Sequence, residues 1–219
     1  MTALLGLALR LRLARLGWEL DASTPDLVDV AQAGLAAGVD LLIVSQGEVP
    51  TAELLPQLEQ LREVASTPTL LGVRGSTELA VGCAADLRVL GPDDGLVVTA
   101  RRTLHRWALV GLATGERAAL TQLDADFLWL GAPAEPGLVR AAARAAPATA
   151  ARSRPWFAVT DSESADELID AGAYRIAVRE LVVDREPAVA GLGALAVRLR
   201  QVWTSDPALR RVVVGAPGQ

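Results

Sequence analysis

Charged and polar side chains stand at the points where short apolar runs of this sequence end. The carboxylates that could act in catalysis are Asp21, Asp93, Asp94 and Asp161. The side chains that could bind a ligand are Ser45, Gln46, Arg74, Thr114, Arg179 and Glu180. A carboxylate near an arginine can do acid–base work on a small polar or cationic substrate. If the apolar runs are strands of one sheet, their ends bring these groups to a common edge.

The adjacent carboxylates Asp93 and Asp94 lie in the segment Gly-Pro-Asp-Asp-Gly at 91–95. Paired carboxylates at this place could hold Mg²⁺ together with a substrate phosphate. Pro, Asp and Gly in this order are also typical of a tight turn. We favour the turn, and we expect no resident cofactor and no metal unless a phosphate ligand binds here.

Several catalytic groups are missing from the sequence. It contains no lysine, so all 21 basic residues are arginine, which excludes Schiff-base chemistry and a P-loop lysine. The one histidine, His105, is predicted on the helix before the fifth strand, away from the strand ends. The one cysteine, Cys83, is predicted to be packed, and a single cysteine forms neither an intrachain disulfide nor a multi-cysteine metal site.

Length and composition indicate one domain, residues 1–219, with a C-terminal helix and tail at 182–219. Mean hydropathy is +0.31, but no stretch approaches the roughly 18–20 apolar residues of a membrane helix. Three arginines between residues 10 and 15 stand where a signal peptide would stay apolar. We therefore expect a soluble cytoplasmic protein. The net charge of −5 argues against nucleic acid as a partner.

Apolar, β-rich runs alternate with helical segments about every 25 residues. The predicted strands are 12–20, 39–44, 69–73, 86–90, 107–112, 125–130, 155–159 and 174–178. Near-continuous apolar strands separated by helices are typical of a parallel sheet covered by helices. An open doubly wound sheet usually has a glycine-rich turn after its first strand, and the segment 21–25 has no glycine. We favour a single closed (β/α)₈ barrel.

Local signals mark the helix ends and the core. Thr24 is a plausible N-cap with Pro25 in the first helical position, and Gly38 is predicted to end that helix. Ser164 and Glu167 resemble a capping box, and Gly172 is predicted to end the helix that follows. The tryptophans predicted to lie mostly on strands and to fill the core are Trp18, Trp107, Trp129 and Trp156. The apolar helical face at 189–202 could support a homo-oligomer, although packing on the barrel is the simpler interpretation.

Four stretches have an order and spacing shared with a known family. They are Gly38-Val-Asp-Leu-Leu42, Glu78-Leu-Ala-Val-Gly82 with Ala85-Asp86 and Leu90-Gly91, Ala125-Asp-Phe127 with Gly131, and Ala171-Gly172-Ala173 with Ile176-Ala-Val178. Through them, the chain from about Leu16 to Leu181 resembles the thiamine phosphate synthase/TenI-like family of (β/α)₈ barrels. The resemblance implies a barrel fold and a phosphate-binding mouth.

The functional residues that the resemblance implies do not carry over. In the family, a strand ending in Gln-Leu-Arg-Glu-Lys binds the pyrimidine pyrophosphate, and this chain has Ile43-Val-Ser-Gln-Gly47 in its place. The family's Asn-Asp pair after strand three corresponds to Gly72-Val73. The strand-four histidine falls on Val89. The Ser-x-His region after strand five reads Ala113-Thr-Gly115, and the Gly-Gly phosphate turn after strand seven reads Thr160-Asp161.

These departures favour a divergent member of the family that does not catalyse the ordinary synthase reaction. Its role would be to bind a small molecule or to act as a subunit with a protein partner. The alternative is a repurposed enzyme, a transferase or isomerase, that uses carboxylates and arginines at the mouth of the barrel. A mouth plugged by Trp129 or Trp156 would argue against the enzyme, whereas carboxylates that converge on a cavity would favour it.

Overall fold

Eight parallel strands close into a barrel in the order β1 to β8 along the chain. The computed structural model describes residues 6–65, 69–121, 124–131, 133–150, 153–179, 182 and 184–214, with side chains to residue 210. The strands are β1 Leu16–Asp21, β2 Leu41–Ser45, β3 Leu70–Arg74, β4 Leu87–Leu90, β5 Leu109–Thr114, β6 Phe127–Leu130, β7 Trp156–Thr160 and β8 Ile176–Arg179. The predicted (β/α)₈ barrel is confirmed.

Helices pack on the outside and at one end of the barrel, and most of them connect successive strands. They are α1 Leu7–Leu13, α2 Leu27–Ala37, α3 Thr51–Val64, α4 Thr77–Gly82, α5 Val97–Thr103, α6 Pro136–Ala145, α7 Ala165–Asp170, α8 Arg185–Ser205 and α9 Pro207–Val214. The described part of the β5–β6 connection contains only a 3₁₀-helix of five residues, Arg117–Thr121. None of the described helices has the length and apolar character needed to cross a membrane.

The barrel interior is filled by alternate residues of the strands. They form one buried cluster, which includes Leu41, Ile43, Leu70, Leu87, Val89, Leu109, Ala113, Phe127, Trp129, Phe157, Val159 and Ala177. Leu11 of α1 belongs to the same cluster. Arg10 of α1 donates to the Thr69 carbonyl, just before β3, so α1 closes the amino-terminal end of the barrel. The carboxyl ends of the strands form the other end, which we call the mouth.

A second, larger cluster lies between the strands and the surrounding helices. Trp18 of β1 packs against α2 at Gly34, where an added Cβ would overlap its ring. In α8, the apolar face is buried against the barrel through residues such as Leu192 and Leu199. This face therefore serves helix packing within the chain.

Two of the predicted helix starts are wrong. Helix α2 begins after Asp26, which has a left-handed backbone (φ 50°), and not at Thr24 and Pro25. The capping box at Ser164 does not form, because the Ser164 side chain makes no capping bond at α7. The two glycines predicted to end helices do so. Gly38 has φ +107° and Gly172 has φ +104°, in a region where glycine has no steric penalty.

Two single-residue predictions also fail. Trp107 was predicted in the fifth strand, but β5 begins at Leu109, and Trp107 lies in the preceding turn with 65% of its surface exposed. His105 follows the end of α5 instead of lying within it, and its Nε2 is 2.9 Å from the Ala85 carbonyl oxygen. Cys83 is buried as predicted, and burial raises the pKa of its thiol.

Candidate functional site

A buried carboxylate ties four strands together just beneath the mouth. Glu19 of β1 is 1% exposed. Its Oε1 accepts a hydrogen bond from Arg74 Nη1 of β3 at 3.2 Å and lies 3.4 Å from Arg179 Nε of β8. Its Oε2 accepts a hydrogen bond from Trp129 Nε1 of β6 at 2.8 Å. We call Glu19, Arg74, Trp129 and Arg179 the mouth cluster.

The mouth cluster combines one carboxylate with two guanidinium groups. The side chains of Arg74 and Arg179 are 24% and 42% exposed, whereas Glu19 is sealed in the interior. Arg179 also lies near Asp21, whose pKa is lowered mainly by hydrogen bonds from Ser23 and, to a smaller extent, by the Arg179 charge. Two carboxylates, Glu19 and Asp21, thus lie near the two guanidinium groups.

Trp129 forms the floor beneath the mouth. Its ring lies 6.5 Å from the Phe127 ring and 5.5 Å from the Phe157 ring, measured between centroids. The indole reaches across the barrel to Gly17, where an added Cβ would lie 3.0 Å from Trp129 Cη2. The other tryptophan considered for this place, Trp156, lies outside the barrel and donates to the Ala146 carbonyl. The barrel interior is thus closed below the mouth cluster.

A cavity of about 320 Å³ opens at the mouth, and we call it the mouth cavity. Its lining residues are Arg74, Pro92, Ala113, Thr114, Gly115, Gly131, Pro133, Glu135 and Leu138. Of the predicted site residues that the structure describes, it brings together Arg74 and Thr114. Arg74 is the one residue that belongs to both the mouth cluster and this cavity.

Three predicted carboxylates stabilise their own turns, and we call them the rim carboxylates. Asp21 accepts hydrogen bonds from the backbone nitrogen and hydroxyl of Ser23 at 2.8 and 2.6 Å. Asp94 Oδ2 accepts from Gly91 N at 2.7 Å. Asp161 Oδ1 accepts from Ser164 N at 2.7 Å, and hydrogen bonding by Ser164 lowers the pKa of Asp161. None of the three lines the mouth cavity.

The uncharged candidates are also held by local bonds. Gln46 donates to the Val49 carbonyl and the Thr51 hydroxyl and accepts from Ser76 N, so it links two loops. Thr114 Oγ1 accepts from Glu116 N at 3.0 Å. Ser45 is half-buried and pairs in register with Asp21 and Arg74. Glu180 lies outside the described residues.

The segment at 91–95 forms a turn closed by the Asp94 carboxylate, and Asp93 is exposed. Within the described ranges, no group of three or more His, Cys, Asp or Glu side chains is placed to hold a metal ion. A Mg²⁺ ion at this turn would compete with the Gly91 amide for Asp94.

Sequence reasoning missed Glu19, the residue around which the mouth cluster is built. It stands within an apolar strand, Leu16-Gly-Trp-Glu-Leu-Asp21, instead of at the strand end. One signal could have revealed it. Trp18 and Leu20 pack outward, so alternation turns Glu19 into the barrel interior, where a carboxylate requires cationic or hydrogen-bonding partners.

Comparison with known proteins identifies the family. The TMP-TENI family, described as thiamine monophosphate synthase, matches residues 19–182, about three-quarters of the chain. The chain belongs to the TMP-TENI family. The resemblance noted from the sequence motifs is therefore confirmed, with nearly the same boundaries.

Among individual TMP-TENI relatives, a thiamine-phosphate synthase of Saccharopolyspora erythraea is 32% identical over 215 residues, covering 89% of this chain and 96% of the relative. A thiamine-phosphate synthase of Mycobacterium sp. (strain KMS) is 33% identical over 179 residues, covering 70% and 77% of the two chains. These names describe the relatives' activity.

The solved structures agree on the barrel. Thiamine phosphate pyrophosphorylase from Pyrococcus furiosus superposes with a TM-score of 0.71 at 19% identity, covering 87% of this chain and 98% of that one. A structure titled native KDPGal superposes with a TM-score of 0.61 at 20% identity, covering 91% and 96%. At such identities the likeness shows the fold alone.

Proposed function

We propose that this TMP-TENI member is a binding protein whose mouth cavity holds the anionic group of a small molecule on Arg74, and that it does not catalyse the ordinary synthase reaction. The observation that carries the proposal is the position of Arg74. Its Nη1 is bonded to Glu19 at 3.2 Å, while the side chain also lines the mouth cavity.

Arg74 is suited to bind an anion. A guanidinium has five N–H donors in a fixed plane, and the bond to Glu19 uses one of them while holding the group in place. A donor that is already positioned loses little conformational freedom when a ligand binds. Charge-assisted hydrogen bonds in a partly buried site are about twice as strong as neutral ones. Thr114 and the glycines on the cavity wall leave room for a small molecule.

The interior positions expected to carry synthase chemistry are filled by apolar packing. At Gly72 of β3, an added Cβ would lie 2.6 Å from Ile43 Cδ1 and closer still to Leu87 Cδ1. The position that the resemblance gives to the asparagine is therefore closed, and Val73, at the position of the metal-binding aspartate, is fully buried between the sheet and the helices. Val89, at the position of the strand-four histidine, is fully buried within the barrel interior.

The turn after β7 also opposes a phosphate. The Gly-Gly turn of the resemblance would present backbone amides to it. Here the Ser164 amide donates to the Asp161 carboxylate, so it is not available to a phosphate. The lowered pKa of Asp161 keeps the carboxylate charged. One group that stabilises developing negative charge can be worth ~10²–10³ in rate, so losing several should reduce pyrophosphate displacement below detection.

A second candidate is a repurposed enzyme, favoured by Glu135. Its side chain makes no capping bond at the start of α6, and it lines the mouth cavity together with Arg74. A carboxylate beside an arginine-bound ligand could accept or donate a proton. This candidate requires turnover that depends on Glu135.

Thermal-shift titration tests the binding proposal. The wild-type chain is titrated with thiazole phosphate, with pyrimidine pyrophosphate plus Mg²⁺, and with thiamine phosphate. A ligand at 100 times its Kd adds ~2.7 kcal/mol to the free energy of unfolding. We expect a rise in Tm that Arg74→Met removes and that Arg140→Met, on the exposed face of α6, keeps.

Pyrophosphate release from the two mixed substrates tests the catalytic part separately. We expect no release above the protein-free control. Release that the wild type supports would contradict the non-catalytic part of the proposal, and its loss in Glu135→Gln would favour the second candidate. A Tm unchanged by all three ligands would contradict the binding part and direct the search to protein partners.

A further inference from the structure

A second cavity lies at the opposite end of the barrel, and we call it the outer cavity. Its volume is about 550 Å³. It lies outside the sheet, between α1, α6 and the amino-terminal ends of β5 to β7. Its lining residues are Ala8, Leu11, Arg12, Leu109, Leu120, Ala125, Asp126, Leu128, Ala142, Ala145, Ala146, Ser153, Arg154, Pro155 and Trp156.

The outer cavity exists because this part of the sheet is thinly covered. Each of the other strand-to-strand connections from β1 to β8 contains an α-helix, but the described part of the β5–β6 connection has only the 3₁₀-helix Arg117–Thr121. The neighbouring helix α6 contributes small side chains, Ala142, Ala145 and Ala146. The outward side chains of Leu128 and Trp156 border this cavity, although each is only 2% exposed.

Arg154 supplies a half-buried guanidinium group at the wall of this cavity. Its Nη1 is inaccessible to bulk solvent and makes no hydrogen bond to the described part of the chain. Desolvation lowers the pKa of Arg154, and the charges of Asp124 and Asp126 oppose that shift in part. Asp126 Oδ2 itself accepts from Val110 N and pairs with Arg101 Nη2, each at 2.8 Å, so a bound anion would stabilise the charged form of Arg154 further.

A second guanidinium lines the same cavity. Arg12 Nη2 makes a long hydrogen bond, 3.3 Å, to the Ala150 carbonyl, which leaves most of its donors for other partners. The indole nitrogen of Trp156 is bonded to the Ala146 carbonyl, so its ring offers an apolar surface only. The outer cavity thus pairs an apolar wall with two arginines.

We propose that the outer cavity is a second ligand site, for a small amphiphilic anion. The apolar body of the ligand packs against Leu120 and the alanines Ala145 and Ala146 at the end of α6, and its acid group, a carboxylate or a phosphate, binds Arg154 and Arg12. The volume lies within the roughly 300–1,000 Å³ range of small-molecule sites, which typically combine apolar walls with a few polar groups. The outer and mouth cavities share no lining residue, so this site is independent of the proposed function.

Isothermal titration calorimetry with eight-carbon probes tests the site. Octanoate and octyl phosphate represent the two acid groups, and octanol and octylamine are the neutral and cationic controls. We expect one molecule of octanoate or octyl phosphate to bind per chain, at least about tenfold more tightly than octanol, since a hydrogen bond to a charged group contributes about that factor. Octylamine should not bind.

Two pairs of variants locate the binding. Arg154→Met removes the charge and should weaken binding about tenfold or more, whereas Arg140→Met, on the exposed face of α6, should not. Ala145→Phe should fill the cavity and abolish binding, whereas Ala52→Phe, at an exposed position of α3 outside the lining, should leave it unchanged. Each variant is first compared with the wild type by Tm without ligand.

Three results would overturn the proposal. They are no heat of binding with either acid at millimolar concentration, equal affinity for octanol and octanoate, or undiminished binding in folded Arg154→Met and Ala145→Phe. Loss of octanoate binding in Arg74→Met would also contradict it, because the ligand would then occupy the mouth cavity. A preference between octanoate and octyl phosphate identifies which acid group the site takes.

Discussion

The rim carboxylates and Glu19 of the mouth cluster are all acidic residues near the mouth of the barrel, but they differ in their hydrogen-bond partners. Asp94 and Asp161 each accept a backbone amide three residues away, and Asp21 accepts from Ser23 two residues away. Glu19 instead binds side chains 55 and 110 residues away along the chain. A carboxylate at a strand end thus stabilises its own turn, whereas the carboxylate inside the strand finds its partners only when the barrel closes.

We expect substitution of Glu19 to cause the largest loss of unfolding free energy, and so to distinguish the mouth cluster from the rim carboxylates most clearly. Glu19→Gln leaves Arg74 and Arg179 close together without a carboxylate. Removing one partner of a fully buried ion pair costs about 3–5 kcal/mol, and since both arginines are partly exposed we expect a loss of roughly 2–4 kcal/mol. Urea denaturation at pH 7 measures it.

Asp21→Asn is the matched control, two residues further along the same strand. Its partner Ser23 is local, so we expect a change in unfolding free energy below ~1 kcal/mol. Equal losses in the two variants would contradict the distinction between rim and interior.

Interior packing should give the next largest effect. At Gly72 a methyl group meets the buried side chains of Leu87 and Ile43, and Gly72→Ala should cost about 1–3 kcal/mol through overpacking. At Gly115, on the mouth cavity wall, an added Cβ meets no atom within 4 Å, so Gly115→Ala should stay within about 0.5 kcal/mol of wild type. Urea denaturation of both variants checks the contrast, and a tolerated Gly72→Ala would show that the interior can relax.

The contribution of Asp161 should depend on pH. The Ser164 hydrogen bonds lower the pKa of Asp161 below its ordinary value of 3.8, so its stabilisation is complete above pH 3.8 and is lost as the pH falls through the lowered pKa. We expect Asp161→Ala to cost about 0.5–1 kcal/mol at pH 7, since the group is exposed. Urea denaturation at several pH values from 7 to 2 should show this difference shrinking, and a constant difference would contradict the hydrogen-bonded role.

We expect the smallest change in stability from substitutions at the adjacent residues Asp93 and Asp94. Asp94→Ala removes the bond to Gly91 N and should cost about 0.5–1 kcal/mol. Asp93 is exposed, and Asp93→Ala should leave the Tm unchanged. Differential scanning calorimetry of the pair checks this, and a larger loss at Asp93 would indicate that it holds a partner at the turn.

Much of the fold could be predicted because its signals are local. Strand positions were mostly within two residues of the structure, although the first strand begins at Leu16 instead of residue 12. The glycines at Gly38 and Gly172 marked helix ends through their positive φ. The errors were also local: the α2 start at Asp26 requires a left-handed aspartate that the Thr24-Pro25 signal does not reveal.

The residues of the candidate site were less predictable, because turn-forming residues and catalytic residues both occur at strand ends. Asp, Gly and Ser are favoured in both roles, so composition alone could not tell that Asp21, Asp94 and Asp161 were engaged with their own loops. Of the predicted binding residues, Arg74 and Thr114 reached the mouth cavity. What separated them from the others was the direction of their side chains and the packing of neighbouring strands.

The sequence by itself determined the alternation of strands and helices, the absence of lysine chemistry and the family to which the chain belongs. These properties follow from residue type and near-neighbour spacing. Only the tertiary structure decided that Glu19, Arg74, Trp129 and Arg179 meet, and that a thin β5–β6 connection leaves Arg154 beside a cavity. Both depend on closure of the barrel, which brings residues far apart in the chain within hydrogen-bonding distance and sets which part of the sheet is left uncovered.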